Sequence, residues 1–163
     1  MFTIDEEKLV HLVDEFLAPF GCDSAFSADF SFDPEIDRVH FSIFVSERAD
    51  RLYKKYVMSH FNFTPPSIFM MSLLHEVGHA YTLHTFSEED MQKFHIQKKT
   101  IEANLETNDT DENYCAYFDI EMERAATAWA VDYYQSNREI CDAFYSLFVA
   151  VLKNEYWKIN LVE

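Results

Sequence analysis

Glycine and proline are scarce in this chain, two and four in 163 residues. Together with an apolar content of 48%, that scarcity argues against a disordered chain. Cations are also few: 13 Lys and Arg stand against 29 Asp and Glu, a formal charge of −16. Such a surface repels phosphates, so no nucleic-acid partner is expected; a basic partner or substrate segment suits it better. No apolar run approaches the ~20 residues of a membrane helix, so no membrane partner is expected either. The acidic N-terminal stretch lacks a signal-peptide pattern. The three cysteines, Cys22, Cys115 and Cys141, are odd in number and unclustered. They read as reduced thiols filling small buried spaces, which predicts a cytoplasmic protein. What the chain has in abundance is aromatic: 16 Phe and 9 Tyr. One domain over 1–163, with a substantial core, is expected.

Hydrophobic periodicity divides that domain. Leu9, Leu12, Val13, Phe16 and Leu17 recur at helical spacing within 5–19, and Gly21 follows. The period then falls to two. Phe26, Ala28, Phe30 and Phe32 alternate with polar residues, as do Val39, Phe41, Ile43 and Val45 after them. With 33–37 as the loop, this predicts an antiparallel hairpin whose edge, at 38–46, could pair with an extended substrate. Helical spacing returns at Ala49, Leu52, Tyr53, Tyr56 and Val57. Further helices are expected over 67–85, from a capped start at Ser87 to about 105, over 112–135, and over 138–158. The last carries Ile140, Phe144, Leu147, Val151 and Leu152. The expected fold class is α+β: mostly helical, with a small antiparallel sheet upstream of the 67–85 helix.

That helix carries the most informative stretch, His75-Glu76-Val77-Gly78-His79. Residues four apart on a helix lie one turn above each other on one face. On a helical wheel His79 falls about 40° from His75, while Phe69, Leu73, Val77 and Ala80 fall on the far side. Two imidazoles so placed can grip one zinc ion, and the intervening Glu76 can serve as general base. A catalytic zinc usually takes a third protein ligand. His84 misses the metzincin position, Thr85, by one residue, and reads as a structural or surface histidine.

A downstream carboxylate is the better third ligand. Tyr114, Phe118, Met122, Ala125, Trp129 and Tyr133 form one helical stripe. Glu123 lies about 140° from Phe118, among Ala126, Thr127 and Ala130, where small residues let another helix approach. The wheel favours Glu123 and leaves Glu121 and Asp119 as alternatives.

Together the two segments resemble the gluzincins, zincins with a glutamate as third ligand. More narrowly they resemble the ImmA/IrrE-type and related minimal gluzincin peptidases. There, His-Glu-x-x-His is followed by a helix reading roughly Glu-x-x-Ala-x-x-Phe/Trp-Ala, which Glu123, Ala126, Trp129 and Ala130 match. The resemblance implies a zincin-like fold, Zn2+ held by His75, His79 and Glu123, Glu76 as catalytic base, and a peptide or protein substrate. The chain departs from the pattern at Thr127, where Asn or Asp is frequent, and in its longer gap between His79 and Glu123.

On this reading the metal lowers the pKa of water from ~15.7 to about 7, and Glu76 relays its proton to the leaving amine. Tyr114, Tyr133, Tyr134 and His95 are candidates to steady the oxyanion, with Tyr134 about 16 Å along the helix from Glu123. Thr127 is placed to support a ligand histidine. The competing reading is a latent or weakly catalytic zincin-fold protein with a regulatory role. A third is a metal-free helical domain that carries the motif by accident.

Overall fold

The structure, a computed structural model, describes residues 5–44 and 46–160, with side chains as far as Lys153. Val45, expected at the end of the second strand, lies outside the described residues.

Helix α1 (Glu6–Leu17) forms where expected. Asp5 caps it by accepting from Lys8 N–H, and it buries Leu9, Val13 and Leu17. A single 3-10 turn follows and ends at Gly21, whose φ of +73° is a conformation glycine adopts without steric cost. Three short strands come next: β1 (Asp23–Phe26), β2 (Ser31–Asp33) and β3 (Arg38–Phe41). Asp14 of α1 ties the sheet to the helix by accepting from both the backbone N–H and the hydroxyl of Ser24.

The sheet corrects the expected topology. β2 and β3 do form the antiparallel hairpin, with Phe32 opposite Val39. The alternating run 26–32 is not one strand, however. It spans the end of β1, a crossing segment and β2. β1 pairs with β3 in parallel, so the order is β1-β3-β2 and the sheet is mixed. The expected edge at 38–46 is therefore overturned, because β3 is the central strand. Period-two alternation reports which side chains share a face but not which neighbour a strand pairs with.

Helix α2 (Glu47–Phe61) buries Leu52, Tyr53, Tyr56 and Val57. Ser67 caps α3 (Ile68–Thr82), accepting from Met70 N–H at 3.2 Å. Most of this helix is buried, on the histidine face as well as on the apolar one: Met70, Met71, Leu73, Leu74, His75, Glu76, Val77, Gly78 and His79. It touches β2 and β3 and packs most extensively on α6, so it has little solvent face for a wheel to reveal. His84 lies beyond it, exposed in a 3-10 turn.

Helix α4 (Glu88–Thr107) opens on a capping box between Ser87 and Asp90, and buries only Phe94. The helix expected over 112–135 is broken. A short α5 (Asp111–Cys115) gives way to tight i→i+3 bonding through Ile120, and α6 (Glu121–Ser136) then starts afresh. Helix α7 (Arg138–Asn160) closes the chain. Its buried face carries Cys141, Phe144 and Phe148, whereas Ile140 and Leu147 point outward, 57% and 52% exposed. The single core joins α1, the sheet, α2, α3, α6 and α7, with Cys22 and Cys141 among its small residues. Among the described residues no helix is long and apolar enough to cross a membrane.

Candidate metal centre

The centre arises where α3 and α6 come closest. Gly78 makes that approach possible. A Cβ there would lie 3.0 Å from the Cα and carbonyl carbon of Ala126 and would run into its carbonyl oxygen. Ala126 and Ala130 present small side chains on the facing helix, both fully buried. One residue beyond Gly78 is His79, and one turn before His79 is His75. On α6, Glu123 lies three residues before Ala126, and Thr127 one after it. The backbone contact thus brings two imidazoles within reach of one carboxylate.

His75 Nε2 lies 2.8 Å from Glu123 Oε2, and His79 Nε2 lies 3.3 Å from the same oxygen. All three potential ligand atoms lie within 4.8 Å of one another. Donors around a tetrahedral zinc with ~2.0–2.1 Å bonds sit about 3.3–3.4 Å apart, so small side-chain rotations would admit an ion. Glu121, by contrast, is exposed, and Asp119 is engaged by Tyr56 and Arg124. Of the carboxylates weighed from the sequence, Glu123 is the one in place. Two imidazoles and one carboxylate suit zinc and several other divalent transition metals.

The supporting contacts are unequal. His75 is held at both nitrogens by α6, since its Nδ1 lies 3.0 Å from Thr127 Oγ1 while Nε2 faces Glu123. Tyr53 of α2 completes a triangle, its hydroxyl 3.2 Å from His75 Nδ1 and 3.1 Å from Thr127 Oγ1. With Nε2 turned to a metal, Nδ1–H would donate to one of these hydroxyls. His79 lacks such support: among the described residues its buried Nδ1 has no hydrogen-bond partner. Glu123 Oε1 accepts from the Tyr117 hydroxyl at 3.0 Å.

Burial and charge shape these groups. Burial alone would raise Glu123, but hydrogen bonds from His75 and His79 outweigh it and hold the carboxyl well below the usual range. Burial works against the charged form of His75, yet the Glu123 carboxylate prevails and raises it. Burial pushes Glu76 upward, with the neighbouring imidazoles opposing only in part. Burial also lifts the phenols of Tyr53 and Tyr117 above their ordinary value.

Glu76, His75 and Glu123 line one end of a cavity of about 530 Å³, which Tyr53, Tyr114 and Tyr117 also line. Glu76 therefore faces this cavity. The other oxyanion candidates lie elsewhere. Tyr133 stacks on Trp129, Tyr134 donates to Asp142, and His95 is exposed on α4. The sequence reading missed Tyr117 because a continuous helix would have turned it away from Glu123; the tight turns before α6 bring it back. Tyr53 read only as core, and nothing in its spacing distinguishes a buried ring with a working hydroxyl from one without. Comparison with family models, with curated proteins and with solved structures gives no match.

Proposed function

We propose that this chain is a zinc-dependent peptidase of the gluzincin type, with His75, His79 and Glu123 as metal ligands and Glu76 as general base. The observation that carries this reading is the convergence of both Nε2 atoms on one Glu123 oxygen, beside a buried carboxylate that opens into a cavity. A bound divalent cation would acidify water and polarise a substrate carbonyl. The protein's own part is then to position and to move protons. Thr127 and Tyr53 orient His75. Tyr117 holds Glu123. Glu76 accepts a proton from water and returns it to the leaving amine. Tyr114, also on the cavity, offers a hydroxyl to a developing oxyanion, the Tyr117 hydroxyl being committed to Glu123.

A mixed peptide library incubated with zinc-loaded protein, alongside the Glu76→Gln variant, tests the proposal. The wild type should cleave, and the variant should keep its metal while losing turnover. Equal cleavage by both would remove Glu76 from the mechanism. Full metal occupancy with no cleavage by either would favour the latent, regulatory reading.

A further inference from the structure

The cavity at Glu76 extends well beyond the metal centre. Ile68, Phe69, Ser72, His75 and Glu76 all line it, so it follows α3 over the nine residues from Ile68 to Glu76. At ~1.5 Å per residue step that is about 12 Å, or roughly three to four residues of extended chain at ~3.3 Å each. Its far wall is apolar and mostly aromatic: Phe30 from the segment before β2, Phe69 from α3, and Tyr145, Phe148, Val149 and Leu152 from α7. The rings hold one another in place. Phe69 stacks on Phe148 at 4.4 Å and on Tyr145 at 6.1 Å, and Phe30 meets Phe69 edge-on at 5.7 Å. Such a wall loses little rotamer freedom on binding a ligand. Asp29, Asp50, Glu76 and Glu123 contribute negative charge, and the described lining residues include no Lys or Arg.

We propose, resting on the peptidase reading above, that this wall is a side-chain subsite. It selects peptide segments that place a large apolar side chain within one or two residues of the reacting carbonyl and no acidic side chain there. Helix α7 is then a specificity element as well as a closing helix. The net charge of −16 acts in the same direction, drawing basic segments and repelling acidic ones.

Equilibrium binding to the zinc-loaded wild type tests this without turnover. The probes are the hydroxamates of phenylalanine, leucine, glycine and aspartate, each made both directly and with one glycine between the residue and the hydroxamate, so that the side chain stands one or two residues from the shared metal-chelating group. Phe and Leu hydroxamates should bind about tenfold to a hundredfold tighter than Gly, the gain from burying one large apolar side chain. The Asp hydroxamate should bind no tighter than Gly. Val149→Trp, which fills the subsite, should bring the Phe-to-Gly ratio close to one. Tyr145→Ala, which opens the wall, should lower the ratio as well and serves if the tryptophan variant unfolds. Equal binding of all these probes to zinc-loaded protein, or a ratio that survives both variants, overturns the subsite and leaves the metal centre standing. A wild type that takes up no zinc overturns both.

Discussion

Replacing Gly78 with alanine tests whether backbone contact between α3 and α6 builds the metal centre. The added Cβ meets Ala126 main chain at 3.0 Å and closer, and main chain cannot rotate aside as a side chain can. Overpacking of this kind costs about 1–3 kcal/mol, with backbone contact at the upper end. Against it stands the gain of about 0.8–1.0 kcal/mol from placing Ala rather than Gly inside a helix. The net expectation is a loss of about 1–2 kcal/mol. For a chain of this size that lowers Tm by roughly 2–8 °C, at ~2–4 °C per kcal/mol. The second consequence separates this from any ordinary core mutation. Glu123 sits one turn from Ala126 on α6, so moving α6 outward draws the carboxylate away from both imidazoles. Thermal unfolding and zinc competition titration of Gly78→Ala should show a lower Tm together with zinc affinity weakened at least tenfold. A variant stabilised by about 1 kcal/mol, as helix propensity alone requires, that binds zinc like wild type would refute the reasoning.

Two further expectations concern the centre itself. Thr127→Val keeps the shape but removes the oxygen 3.0 Å from His75 Nδ1; zinc affinity should fall about 10–100-fold with the fold retained, as seen by circular dichroism. Unchanged affinity would mean that Tyr53 alone orients the ring. Saturating zinc at ~1,000 times its Kd should add about 4 kcal/mol of stability, a Tm rise of roughly 8–16 °C that EDTA reverses. A Tm indifferent to zinc would mean that the folded state does not bind it.

Much of this architecture was legible because some signals are local. The capping box at Ser87, the glycine that ends the turn after α1 and the four-residue spacing of the two histidines depend on neighbours within a turn, and all appear in place. Glu123 was legible because Ala126 and Ala130 mark a face that another helix can approach. The failures were of another kind. Strand alternation could not say that β3 would sit between β1 and β2. The break at residues 116–120 contains neither Gly nor Pro, so nothing punctuates it, yet it decides that Tyr117 reaches Glu123. On α7, Ile140 and Leu147 share helical spacing with the buried Phe144 yet face outward, while Phe148 takes the buried side. A wheel ranks faces on an isolated helix, whereas burial is settled by the partners that tertiary packing supplies.

The most direct measurement is zinc stoichiometry and affinity in wild type and Glu123→Ala, purified without chelator. One ion per wild-type chain, bound at least a hundredfold more weakly by the variant, is the predicted result. A wild type that binds none, or a variant that binds one ion as tightly, would contradict joint ligation by His75, His79 and Glu123.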